Sequence, residues 1–410
     1  MSRKMVLLVA SIVAVVLGAA ATALGASPSH NNDSAKGNSA KTNKDFSGLV
    51  DIGGGRKMYM ECQGKGSPTV VLVSGLGNAA DIWTGVIDSG GVPKPSRAAV
   101  FPQVAKFTRV CAYDRPRTIR VTDDDKPSRS TPVEQPTSAK PAAADLDALL
   151  GASGEPPPYV LVGHSFGGAI IRLYAGAHPA EVGGLVFVDA LSEDVPNGLT
   201  PRQQALFEKI NTPPPGSHGE AFDASATFRQ MRESPPAPTV PTVVLTADRP
   251  QLTESVAKEA LAKEHLPAGV VEEFANDFWA SHLAAQEKLA KRFPGAEHIT
   301  DTNSSHYIQA ENPRLVIDSI RSVVDAERDG AKRQSRGAEV FGSATPSATP
   351  SATATVSATS SAGAAGAAQY QYASALPGSG GVSPVLLLAV IPAILLVVVG
   401  LLSARLIRIG

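Results

Sequence analysis

The sequence predicts an α/β domain built on a mainly parallel sheet with helices on both faces. Three observations carry that expectation. Short apolar runs recur at residues 69–73, 109–113, 159–162, 184–188, 242–246 and 297–300. Helical patterns alternate with them, near 101–107, 143–151, 169–178, 253–266, 278–293 and 313–327. Between the two chain ends lie roughly 285 residues, the size of one large domain of this class. Strands that alternate with helices stay parallel by crossing over the sheet, so both faces are covered. In such sheets the chemistry gathers at the carboxyl ends of the strands.

The ends of the chain read differently from its middle. Met1-Ser2-Arg3-Lys4 precedes an apolar run over residues 5–25, with small residues at Ala23-Leu24-Gly25-Ala26. A basic start, an apolar stretch and small residues make a secretory signal peptide over 1–26, with an uncleaved anchor as the alternative. A flexible segment is expected over 27–45 and the folded domain over 46–330. Residues 331–381 read as a stalk. The run Ser343-Ala344-Thr345-Pro346-Ser347-Ala348-Thr349-Pro350-Ser351 cannot bury enough apolar area to offset chain entropy. Leu376-Pro377-Gly378-Ser379-Gly380-Gly381 is similar to a sortase signal of the LPxTG type, with Ser379 in place of Thr. Residues 382–404 have the length and apolarity of a transmembrane helix, and Arg405 and Arg408 give the tail 405–410 a basic, cytoplasmic character. The expectation is an exported protein, its folded domain outside the cytoplasm. It is held at the membrane by that helix or on the cell wall through sortase.

The formal net charge is −1, which gives no electrostatic case for nucleic acid. The two cysteines, Cys62 and Cys111, lie at the end of one strand-like run and the start of another. In an exported chain an even count invites a disulfide, and two buried thiols are the alternative. No histidine or second cysteine pair stands at metal-ligand spacing, so no metal is expected; no other cofactor is expected either.

Gly163-His164-Ser165-Phe166-Gly167 follows the apolar run 159–162 and precedes a helical stretch. A serine in G-x-S-x-G between strand and helix sits on a sharp turn with its hydroxyl lifted clear of the sheet. It needs a base to take its proton and a carboxylate to orient that base. Of eight histidines, His306 stands on a loop after the last strand and before a helix, where a base belongs. His265 and His282 fall on helical patterns and read as surface or packing residues. In this arrangement the acid falls between serine and histidine in chain order. Asp248, ending the run 242–247, is the first candidate, and Asp189, ending the run 185–188, the alternative. The oxyanion requires two backbone N–H groups, expected from Phe166 and from Leu76 in the loop Ser74-Gly75-Leu76-Gly77-Asn78.

Ser74-Gly75-Leu76-Gly77, Tyr113-Asp114-Arg115, Gly163-His164-Ser165-Phe166-Gly167-Gly168, Leu245-Thr246-Ala247-Asp248 and Ser305-His306 stand in the order of the α/β-hydrolase superfamily. The chain resembles its serine esterases and lipases over residues 46–328. The resemblance implies an α/β-hydrolase fold: an eight-stranded, mostly parallel sheet whose second strand is antiparallel and lies beside the fourth. That neighbourhood favours a Cys62–Cys111 bridge. Many relatives have His-Gly where this chain has Ser74-Gly75, and a glycine-rich turn where it has Arg117. Residues 191–240 read as a small lid insertion, and 115–140 as a second excursion shaping the pocket mouth. The expected function is hydrolysis of a small-molecule or lipid-like ester through an acyl-enzyme. A peptidase or amidase of the same fold, or a non-catalytic surface binding protein, is the alternative.

Overall fold

Eight strands form one sheet in the computed structural model, which describes residues 44–88, 91–211 and 219–342. They are β1 (Phe46–Gly53), β2 (Arg56–Gln63), β3 (Thr69–Val73), β4 (Val110–Tyr113), β5 (Tyr159–His164), β6 (Val182–Val188), β7 (Thr242–Leu245) and β8 (Glu297–Ile299). Their spatial order is β1-β2-β4-β3-β5-β6-β7-β8. Strand β2 runs antiparallel to both of its neighbours, and the pairs from β4 to β8 are parallel. This is the α/β-hydrolase architecture that the motif order implied.

The helices are α1 (Val100–Val104), α2 (Ala139–Ser153), α3 (Phe166–Ala177), α4 (Pro201–Asn211), α5 (Ala224–Glu233), α6 (Glu254–Ala260), α7 (Ala268–Lys291), α8 (Ile308–Glu311) and α9 (Pro313–Gly342). The central strands are continuously apolar because they are buried on both faces. Side chains alternate between two cores, as the two-residue period of a strand requires. Val71, Val73, Leu161 and Phe187 pack with α2 and α3, whereas Val70, Leu72, Val160, Val162 and Val186 pack with α1 and α9. Burying each of these side chains contributes about 1.5–3 kcal/mol relative to leaving it exposed.

Cys62 and Cys111 are directly opposed in the β2–β4 register and are joined by a disulfide, with Cα atoms 4.1 Å apart. Of the two possibilities open from sequence, bridge or buried thiols, the strand order selects the bridge. The insertion after β6 carries α4 and α5. Helix α9 runs past the expected boundary at Gly330 to Gly342. Among the described residues no helix is long and apolar enough to cross a membrane. The expected signal segment, the expected transmembrane helix and the LPxTG-like motif lie outside the described residues.

The bridge closes a loop with a sequence separation of 49. Its removal in a Cys62→Ala, Cys111→Ala double variant is predicted to cost about 4 kcal/mol of unfolding free energy, on the chain-entropy account. Urea denaturation of the two forms measures this, and equal midpoints would refute it.

Candidate active site

Ser165 joins β5 to α3 at φ 52°, ψ −122°. A non-glycine residue at such a φ costs on the order of 1–3 kcal/mol and persists only where its surroundings enforce it. Here they do. The Ser165 N–H donates to the Val188 carbonyl at 3.2 Å, and the Ser165 carbonyl accepts from Gly168 and Leu191, each at 2.8 Å. Two glycines permit the close crossing. A Cβ on Gly163 would lie 2.6 Å from the Gly167 carbonyl oxygen, and one on Gly167 would lie 2.2 Å from that of Val73. The turn is therefore locked between β3, β5 and the end of β6, with Ser165 half-buried in a cavity wall.

His306 lines the same cavity from the loop after β8. Its Nδ1 donates to Asp189 Oδ2 at 2.5 Å. Asp189, not Asp248, is thus the carboxylate paired with His306. The reason is lateral order in the sheet: β6 lies directly beside β5, so its end abuts the serine turn. Asp189 itself adopts φ 41° as it leaves β6. Asp248 does other work at the end of β7. Its carboxylate accepts from the Asn303 N–H at 2.6 Å and the Ser304 N–H at 3.0 Å. It thereby fixes the start of the loop that carries His306.

The other oxygen of Asp189, Oδ1, accepts from the Ala247 N–H at 2.9 Å and from His282 Nε2 at 2.8 Å. His282 is therefore not a surface or simple packing residue. It projects from α7 onto the buried carboxylate. The side chain of Asp189 is 3% exposed. Burial alone would raise its carboxyl, but the charge and N–H groups of His282 and His306 outweigh that effect and hold it far below the usual carboxylate range.

Beside this group lies His164. Its Nε2 donates to the His306 carbonyl at 2.9 Å, because a carbonyl can only accept, and the two rings lie 4.6 Å apart. Its Nδ1 is buried without a partner. Burial first, and the neighbouring His306 second, depress the His164 imidazole well below its ordinary value.

Phe166 opens α3, so its N–H has no carbonyl partner within the helix. The facing loop is held by a buried ion pair. Arg115 donates to the Ser74 carbonyl at 2.7 Å and the Gly75 carbonyl at 2.6 Å. It is clamped by Glu220 at 2.7 and 2.8 Å, and Glu220 also accepts the Gly77 N–H at 2.7 Å. The Asn78 N–H bonds to the Gly75 carbonyl. None of these partners takes the Leu76 amide. Leu76 and Phe166 both line the cavity with Ser165.

The cavity has a volume of about 90 Å³. Its walls are mostly apolar, with Leu191, Phe207 and Phe222 from the insertion after β6 and Leu252, Phe278 and Trp279 from the segment after β7. The excursion 115–140 contributes no lining residue, so the second wall comes from α7 and the chain before it. Arg117 turns away, its Nε donating to the Val133 carbonyl at 3.1 Å.

A histidine buried as the neutral ring links stability to pH. The unfolded chain takes up a proton on His164 below about pH 6.5, where the folded state resists it. The unfolded state then binds more protons, so stability is present above that pH and is lost as pH falls. His164→Gln, which retains an N–H donor but does not titrate, is predicted to remove part of the acid destabilisation, up to about 1.4 kcal/mol per pH unit. Urea melts of the two proteins above and below neutrality measure it, and parallel pH profiles would show that His164 makes no such contribution.

A family model matches the chain from β3 into α9. Residues 70–319 match the model of the "Alpha/beta hydrolase family". Among curated proteins, the chain is 28% identical over 194 residues to the "Probable transporter efuK" of Hormonema carpetanum, covering 46% of this chain and 25% of that one. The chain thus spans a quarter of the length of this curated relative. Among solved structures it is similar to Est816, described as an N-acyl homoserine lactone degrading enzyme, at 18% identity and a TM-score of 0.42, covering 68% of this chain and 100% of that one. It is also similar to the carboxylesterase CesB of Bacillus subtilis, at 13% identity and a TM-score of 0.42, covering 68% and 91%. With the family match running from β3 into α9 across most of the folded domain, this chain belongs to the alpha/beta hydrolase family.

Proposed function

We propose that this hydrolase cleaves a carboxylic ester through an acyl-enzyme, with Ser165 as nucleophile, His306 as base and Asp189 as the orienting acid. One observation carries the reading. The strained Ser165 turn and the Asp189–His306 pair at 2.5 Å face the same cavity. With its Nδ1 proton held by Asp189, His306 keeps Nε2 as the basic nitrogen. That nitrogen takes the Ser165 proton as Oγ attacks the carbonyl, then returns it to the leaving alcohol. Water hydrolyses the acyl-enzyme by the same route in reverse. The Phe166 and Leu76 N–H groups are the donors for the oxyanion, and losing one such donor costs about 3 kcal/mol of barrier stabilisation.

The substrate class follows from the walls. Among the described residues that line the cavity none is Lys or Arg, so an anionic headgroup finds no counter-charge. The aromatic and aliphatic walls suit an uncharged apolar ester with a short acyl chain. A location outside the cytoplasm is part of the same proposal, and the Cys62–Cys111 bridge supports it, because such bonds persist in oxidising compartments.

A fluorophosphonate probe is expected to label the protein at Ser165. Ser165→Ala is expected to abolish both labelling and turnover of p-nitrophenyl acetate, and undiminished turnover would end the proposal. Activity is expected to fall along a series of p-nitrophenyl esters of increasing acyl length.

Asp189→Asn is expected to lower kcat on the order of 10⁴-fold while the fold survives. Asp248→Asn is expected to lower it far less, since that carboxylate caps a loop. Steady-state kinetics with circular dichroism on both variants decides the assignment, and the reverse ranking would make Asp248 the acid.

A further inference from the structure

Among the titratable side chains that the serine, acid and base of the proposed reaction leave at the site, one touches the acid directly. His282 lies on α7, 8% exposed, and lines the cavity. Its ring is nearly parallel to those of Phe278 and Trp279, with centroids 6.4 and 5.7 Å away. Its Nε2 stands 2.8 Å from Asp189 Oδ1. An ionised carboxylate only accepts, so the His282 proton resides on Nε2 and points at the acid. The Ala247 N–H reaches the same oxygen at 2.9 Å. Two donors from two different elements therefore pin Oδ1. With Oδ1 fixed, rotation of the carboxylate is blocked and Oδ2 is left facing His306 Nδ1.

We propose that His282 is a positioning residue for this reaction: as an Nε2–H donor to Asp189 Oδ1, it fixes the carboxylate against His306. The proposal rests on the serine-hydrolase reading. Without the His282 donor, Oδ1 is held by the Ala247 N–H alone and the carboxylate can swing away from His306 Nδ1, so kcat falls while substrate binding is kept.

Tyr307 packs edge-on against His306, with ring centroids 5.5 Å apart. His164 lies beside His306, and the Arg115 guanidinium acts on His164 from beyond it. On α7, Asp277 is engaged by Gln203 at 2.6 Å. Arg292, just past the end of α7, meets Glu193 and Asp194 from the chain after β6, at 3.4 and 2.6 Å.

The test compares wild type, His282→Leu and His282→Gln on p-nitrophenyl acetate. The leucine variant is expected to lose about tenfold in kcat with KM within about twofold. The glutamine variant, whose side-chain N–H replaces that of the ring, is expected to recover most of that loss. An undiminished kcat in the leucine variant, or a glutamine variant no better than leucine, would overturn the proposal. Long-range ¹H–¹⁵N spectra of the histidines give a readout independent of turnover. An Nε2–H tautomer at His282 is expected, and an Nδ1–H tautomer would overturn the proposal. Wild type that shows the expected tautomer yet neither labels with fluorophosphonate nor turns over ester would sink the hydrolase mechanism, and with it the role of His282 in that reaction.

Discussion

The geometry of the site depends on one buried carboxylate. Asp189 is almost wholly withdrawn from water, where an uncompensated charge is strongly unfavourable. Its partners come from separate parts of the chain: Ala247 just past β7, His282 on α7, and His306 on the loop after β8. Together the three offset the cost of burying the charge. The carboxylate thereby converts the lateral order of β5, β6, β7 and β8 into a fixed spatial relation between the serine turn and the histidine loop. Asp248 reinforces the same relation from the next strand by gripping the loop backbone at Asn303 and Ser304.

A second buried charge pair performs the corresponding task on the opposite wall. Arg115 and Glu220 are nearly inaccessible to solvent, and together they bind the carbonyls of Ser74 and Gly75 and the amide of Gly77. Removing one member of such a pair typically costs 3–5 kcal/mol, roughly, because the other is left buried and unpaired. Glu220 belongs to the insertion that also supplies Phe207 and Phe222 to the cavity. Glu220 thus joins the insertion and the loop carrying the Leu76 amide into one hydrogen-bonded unit. Stacking of Phe207 on Phe278, with centroids 5.5 Å apart, ties that unit to α7 and so to the neighbourhood of His282.

Disulfide, serine turn and cores answer to a common constraint. In a sheet covered on both faces, close backbone approach is possible only where side chains are small or shared between two layers. Gly163 and Gly167 supply the first condition at the serine turn, and the alternating Val and Leu of β3 and β5 supply the second. The antiparallel β2 then brings Cys62 opposite Cys111 without disturbing either core.

The sequence by itself determined the alternation of strands and helices, the turn at Ser165 and the histidine loop. Each of these is a local signal: a run of apolar residues, a spacing of glycines, a histidine between a strand and a helix start. It did not determine which carboxylate meets His306, because Asp189 and Asp248 both end strands and chain distance does not measure sheet distance. Only the tertiary order, with β6 next to β5, placed Asp189 at the serine turn. His282 left a trace in the sequence, standing in the inward stripe of Val271, Phe274, Ala275, Phe278, Ala285 and Leu289. A histidine at an apolar helical position reads there as packing. Its partner lies 93 residues away, just past the end of β6, and that contact exists only once α7 is folded against the end of the sheet.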